Sequence, residues 1–431
     1  MPFDLDAKLA DDIIKAVEAG FPDQVSLTQD LVRYPSLRGQ EHTAQDFLYG
    51  EMARRGLAMD RWAIDVDAIR HHPGFSPVAV DYSNAFNVVG AHRPRETKGR
   101  SLILNGHVDV VPLGPLDMWE RPPFEPAVEG DWLYGRGSGD MKAGLIANLA
   151  ALDALRRLGY QPAAPVYVQS VTEEECTGNG ALACLVRGYR AEAAIIPEPG
   201  GDALTRANMG VIWFRVHVRG LPAHASVAGS GANAIEASYR LIQALHGLEA
   251  EWNARRVEHE HFKGLEHPVN LNIGKIEGGD WASSVPAWCS FDCRISFYPG
   301  VTARNAADEI EACIAKAVHN DPFLSNMPPK IEYNGFFAEG YTLSEGTEAE
   351  RVLAGAHTRS FGSQLEARVA QAYVDGRVFM LYDDCPALVY GPKSENYHGF
   401  DERVYLPSVK RVTAAIALFI AEWCGLEKIA A

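Results

Sequence analysis

Five short stretches of this sequence end in side chains that bind metal ions or move protons. In Asn105-Gly-His-Val-Asp-Val-Val-Pro112, His107 and Asp109 are two residues apart and share one face of an extended backbone. Such a histidine can offer one ring nitrogen to a metal while the neighbouring carboxylate orients the imidazole. The glycine-rich stretch Gly130-Asp-Trp-Leu-Tyr-Gly-Arg-Gly-Ser-Gly-Asp140-Met-Lys-Ala-Gly144 places Asp140 where a helix begins, so it reads also as a helix N-cap. Val171-Thr-Glu-Glu-Glu175 sets acids side by side after the strand-like Val166-Tyr-Val-Gln-Ser. A cation relieves their repulsion, and a solvated charge run tolerates it. Ala194-Ile-Ile-Pro-Glu198-Pro closes a further apolar run with an acid. Tyr390-Gly-Pro-Lys-Ser-Glu-Asn-Tyr-His398-Gly-Phe-Asp-Glu-Arg-Val404 carries His398, which alone reads as a surface histidine. Each has an ordinary explanation singly. Together they put five ligand candidates at the carboxyl ends of strands, the edge where an open α/β sheet forms its crevice.

The elements that must position them follow an α/β rhythm. Residues 8–34 read as helical, broken near Gly20-Phe-Pro22, and residues 41–56 as a second helix closed at Gly56. Strands are expected near 86–91, 101–106, 165–171 and 192–197, with a helix from Lys142 to Leu158. From about 208 the pattern changes to strand 211–218, helix 232–254, strands 269–276 and 288–297, helix 302–319 and strand 330–333. That β-α-β-β-α-β order predicts a ferredoxin-like layer inserted into the α/β domain. The α/β rhythm returns with a helix at 346–361, strands at 376–381 and 386–390, and a helix at 405–424. The expected division is 1–207 with 340–431 as one unit and 208–339 as the other.

Composition narrows the function. The 431 residues suit about two or three domains, and 47% apolar with 22% charged residues is ordinary for a globular protein. A net charge of −16 argues against a nucleic-acid surface. Met1-Pro-Phe-Asp-Leu-Asp-Ala-Lys has no signal-peptide pattern, and apolar stretches such as Ala414–Ala421 are too short to cross a bilayer. Seven cysteines without CxxC pairing read as reduced thiols of a cytoplasmic protein.

Taken in order, GHVDVVP, GDWLYGRGSGDMKAG, TEEE, the strand ending PEP and HGFDE resemble the motifs of the M20 metallopeptidase and deacylase family, over residues 20–425. That family includes acetylornithine deacetylase, succinyl-diaminopimelate desuccinylase, aminoacylase and glutamate carboxypeptidase. The resemblance implies a zinc-peptidase-like catalytic domain with a mostly parallel sheet, an inserted lid and dimerisation domain, and a homodimer. It implies two divalent ions, zinc with cobalt or manganese as substitutes. His107 and Glu198 would hold one, Glu175 and His398 the other, and Asp140 would bridge them. Glu174 would be the general base and Asp109 the residue orienting His107. Adjacent acids on one strand cannot both face the ions, so Glu174 and Glu175 divide into base and ligand. His224, in Gly220-Leu-Pro-Ala-His-Ala-Ser, resembles a histidine that reaches the partner subunit's site. Asn272 resembles a substrate-contacting asparagine, and Arg294 the arginine that grips a substrate carboxylate. Arg294 paired with Asp292 is the alternative.

Some positions depart from the family pattern: Ser283 stands where an asparagine is usual, Gly391-Pro-Lys393 replaces a GPG turn, and Trp281 is bulky for a pocket wall. The expectation is a dinuclear amidohydrolase removing an acetyl or formyl group from an amino acid or related amine, acetylornithine deacetylase-like. Alternatives are a dipeptidase or carboxypeptidase, a desuccinylase-like or formyl-aminopyrimidine deformylase-like enzyme, or a metal-containing small-molecule-binding protein.

Overall fold

The computed structural model describes residues 5–429. The outermost residues of the expected 1–207 and 340–431 unit, and the first four of the N-terminal stretch read for a leader, lie outside the described residues.

The central sheet has six strands in the order Ala58–Ala63, Phe86–His92, Val166–Val171, Leu102–His107, Ala194–Ile196, Ala387–Val389. The last four run parallel to one another, and the first two add an antiparallel edge. Every residue of Leu102–His107 is buried, as a strand covered on both faces requires. Helices Ala7–Val32, Ala143–Arg157, Glu348–Phe361 and Leu406–Trp423 pack together and share the main core with the sheet. The fold is therefore mixed α/β, a mostly parallel sheet flanked by helices.

Residues between Gly210 and Ala338 build a separate antiparallel sheet, ordered Leu271–Gly278, Trp288–Phe297, Gly210–Arg219, Lys330–Ala338. Helices Ala234–Ala254 and Ala303–His319 join it in a second apolar core that includes Phe214, Leu241, Leu245, Phe291 and Ile310. Asn233 caps the first helix, its side chain accepting the N–H groups of Ile235 and Glu236.

Among the differences from expectation, which include the edge strand Ala58–Ala63 and the helix Asn179–Val186, three stand out. Ala7–Val32 is one helix that runs through Pro22. Giving up one backbone bond there is outweighed by its buried face, including Ile13, Val17 and Leu31. Residues Gly376–Tyr382 form a helix rather than a strand, burying Val378 and Phe379. A short apolar run does not declare its period. Strands Leu204–Asn208 and Ala367–Ala370, which pair in parallel, were not expected at all.

A candidate metal centre at the sheet edge

His107 ends its strand fully buried. Its Nδ1 lies 2.9 Å from the Asp109 carbonyl oxygen, with Asp109 Oδ1 at 3.6 Å. A carbonyl only accepts, so Nδ1 carries the hydrogen and Nε2 is left facing acids. Those are Asp140 Oδ1 at 3.1 Å, Glu198 Oε1 at 3.6 Å and Glu174 Oε2 at 3.9 Å. Asp109 turns its other oxygen to the Glu175 N–H at 3.1 Å, tying the two strand ends together.

Asp140 does not cap a helix. Its backbone is extended (φ −120°, ψ 97°), and the helix starts at Ala143 with Lys142 at the cap position. Glu402 holds the turn instead. Its Oε1 accepts the N–H groups of Gly139 and Asp140, each at 2.9 Å. Its Oε2 accepts Gly137 N–H at 2.9 Å and Arg136 Nη1 at 2.7 Å. Gly137 sits at φ 78°, where a side chain would be strained.

The three adjacent acids separate at a tight turn. Glu173, at φ 69°, swings away to Arg38 (2.6 Å) and the Tyr82 hydroxyl (2.6 Å). Glu174 and Glu175 both reach the cluster, contrary to the expectation that only one could. The segment leaves the strand at Val171, so the alternation of an extended chain no longer applies. His398 enters from a loop position at φ 63° and places Nε2 3.1 Å from Glu175 and 3.5 Å from Asp140 Oδ2.

The result is two triads that share one carboxylate, His107, Asp140 and Glu198, then Asp140, Glu175 and His398, with His107, Glu174 and Glu175 a third group interlocked with both. Within each, the potential ligand atoms lie within 4.8 Å of one another. The electrostatics fit divalent cations. Burial pushes Glu198 up to about 8 and Glu174 well above the usual carboxylate range. Burial alone would also raise Asp140, but hydrogen bonds from His107 and His398 hold it far down. The Glu175 charge lifts His398 to about 11. Among the described residues, Glu198 Oε1 and Asp109 Oδ1 are buried without a hydrogen-bond partner. Acids in excess, imidazoles turned towards them and orphaned oxygens are what a bound cation satisfies.

The cluster opens into a cleft of about 620 Å³ lined also by Trp213, Asn272, Arg294, Phe336, Arg368, Gln371 and Tyr373. Asn272 and Arg294 thus join the cluster in one cleft. Arg294 does not pair with Asp292, which binds Arg215 at 2.7 Å. His224 is not brought to this cleft. Its Nδ1 lies 2.7 Å from the Ser226 hydroxyl, and its backbone bridges to Ser284. Ser283 and Trp281 lie on the exposed loop that pairs with it, and Trp281, 72% exposed, is not among the residues lining this cleft. Sequence reasoning missed Glu402, Arg368 and Asp375. Asp375 is buried, accepts the Tyr373 hydroxyl at 3.0 Å and is pushed by burial up to about 7. It follows no apolar strand, so nothing local marked it.

The sequence profile described as peptidase family M20/M25/M40 aligns with residues 103–422, a span that holds both triads. The chain belongs to this family. Among curated M20 relatives, it is 28% identical to N-formyl-4-amino-5-aminomethyl-2-methylpyrimidine deformylase of Halalkalibacterium halodurans, covering 97% of this chain and 98% of the relative. It is 26% identical to succinyl-diaminopimelate desuccinylase of Dinoroseobacter shibae, covering 93% and 99%. Human carnosine dipeptidase 1 has the same fold, with a TM-score of 0.76 at 16% identity over 96% of this chain and 100% of that one. The M20 chain is an amide hydrolase of a metal-dependent family. None of its described helices is long and apolar enough to cross a membrane.

Proposed function

We infer that this M20 hydrolase removes a small acyl group, acetyl or formyl, from the nitrogen of an amino acid or related amine, in the manner of acetylornithine deacetylase. The observation that carries the reading is Asp140 standing in both triads with Glu174 beside them. His107 and Glu198 would hold one divalent ion, Glu175 and His398 the other, and Asp140 both; zinc suits this donor set, with cobalt or manganese as substitutes. Such ions supply an activated water and polarise the scissile carbonyl.

Glu174 performs the proton transfers. It takes a proton from water as the oxygen adds to the acyl carbon, then delivers it to the departing nitrogen as the C–N bond breaks. Products are the free carboxylic acid and the amine. The Asp109 carbonyl and carboxylate keep His107 in one tautomer and orientation. Arg294 grips the substrate carboxylate and Asn272 contacts the substrate beside it. Residues 208–339 form the lid and dimerisation domain of a homodimer, His224 acts in the partner's cleft, and residues 1–207 with 340–431 form the catalytic domain. The seven unpaired thiols support a cytoplasmic setting.

A second reading, deformylation of an aminopyrimidine, is favoured by the aromatic wall. Trp213 and Phe336 meet edge to face at 5.2 Å, and Phe336 lies 4.6 Å from Tyr373. Such rings suit a flat amine. The test is a panel of N-acetyl and N-formyl amines, N-formyl-aminomethylpyrimidine and dipeptides, assayed with added zinc, cobalt or manganese. Hydrolysis that falls about 10²–10⁴-fold in Glu174→Gln supports the reading. Protein that binds metal, hydrolyses no amide and is indifferent to Glu174→Gln is instead a binding protein.

A further inference from the structure

Two guanidinium groups in the cleft bind backbone carbonyls rather than acids. Arg294 Nη2 donates to the Gln371 carbonyl at 2.8 Å, and Arg368 Nη1 to the Pro199 carbonyl at 3.3 Å. Among the described residues neither forms an ion pair. Elsewhere arginines find carboxylates readily, as Arg38 does with Glu173 and Arg403 with Glu395. Here four carboxylates line the same cleft, Asp140, Glu174, Glu175 and Glu198, and both guanidiniums turn to backbone carbonyls instead. Each keeps most of its five N–H donors free for something that enters.

The two groups are tethered at different places. Arg294 belongs to the four-stranded sheet and is anchored on Gln371. Arg368 belongs to Ala367–Ala370 and is anchored on Pro199, next to Glu198. Burial lowers Arg294 to about 10 with no carboxylate to offset it, so its charge lacks a counterion. With the proposed pair of divalent ions in place, their charge and that of the four lining carboxylates cancel. The two guanidiniums then set the charge that a ligand must match.

We propose that Arg368 provides a second anion-binding position beside that of Arg294, and that the substrate is an N-acyl amine bearing two acidic groups. The inference rests on the amidohydrolase reading above and names its substrate class. The second acid belongs to the amine portion where the acyl group is acetyl or formyl, and to the acyl portion where that group is instead a dicarboxylic one such as succinyl. Both offer the same planar carboxylate to a guanidinium fork.

The test compares zinc-loaded protein on N-acetylalanine, with one carboxylate, N-acetylglutamate, with two on the amine side, and N-succinylalanine, with one on each side. At least one dianionic substrate is expected to exceed N-acetylalanine in kcat/KM by about 10- to 100-fold. Arg368→Met removes most of that ratio, and Arg368→Lys restores part of it. Which dianion wins tells which side carries the second acid. A ratio unchanged in Arg368→Met, or a preference for neutral N-formyl-aminomethylpyrimidine, overturns the proposal and leaves the hydrolase reading standing. If no amide is cleaved at all, the hydrolase reading fails, and calorimetric titration with glutarate decides the anion site by itself. Glutarate binding lost in Arg368→Met upholds the site, and binding equal to wild type removes it.

Discussion

The Glu402 carboxylate accepts the backbone N–H of Asp140 at 2.9 Å, and it stands four residues beyond His398. Its Arg136 partner donates its other nitrogen to the Gly399 carbonyl at 2.9 Å. One buried ion pair therefore fastens the turn of the shared carboxylate to the loop of the last histidine. Replacing Glu402 with Gln puts an amide where an acceptor is needed and leaves Arg136 poorly matched. Metal affinity should fall about 10–100-fold. Competition titration against a chromophoric chelator measures it, and an unchanged affinity in a folded variant removes Glu402 from this role.

Asp140 is the one residue common to both triads. Asp140→Ala should therefore lose both ions, whereas His398→Ala should lose chiefly one. Metal content per chain by elemental analysis separates the cases. An Asp140→Ala protein that still carries two ions would falsify the shared-ligand assignment.

His224 lies outside its own chain's cleft, so in the proposed homodimer it would act from a second copy. His224→Ala should lower turnover with metal content intact. Mixing it with inactive Glu174→Gln should restore activity, because the mixed dimer pairs an intact Glu174 with an intact partner histidine. No recovery after subunit exchange would refute action across the interface.

Glu41, buried at the start of helix His42–Arg54, gives a pH dependence of stability. Its Oε1 accepts Gly39 N–H at 2.9 Å and its Oε2 has no partner among the described residues. Burial, then the Asp109 charge, raises its carboxyl from 4.5 to about 8. The folded state thus favours the protonated form. The associated stability is complete below the unfolded value and is lost as pH rises through about 8. Glu41→Gln keeps the acceptor oxygen and cannot ionise. It should melt like wild type near about pH 5 and at higher temperature near about pH 9. A Tm difference that does not widen with pH contradicts this.

What was legible in the sequence followed strands. His107 and Glu198 close apolar runs, and a buried parallel strand announces both itself and its end. The inserted layer was legible because its order of strands and helices is local. That Glu174 and Glu175 both face the cluster was missed because a positive φ at Glu173, invisible in composition, turns the chain. Residues 376–382 were misread because burial on one side, not period, made them a helix. Glu402 and Arg368 escaped notice because their work depends on partners more than 160 residues away, Arg136 and Pro199, whose proximity only the folded chain creates.

The sheet spanning Gly210 to Ala338 contributes Asn272 and Arg294 to the cleft but no member of either triad. Selection can thus retune part of what decides which molecules are admitted by editing one contiguous block of the gene. The bond-breaking apparatus, encoded on both sides of that block, is inherited untouched, which is how one ancestral catalyst can spread across many metabolic niches.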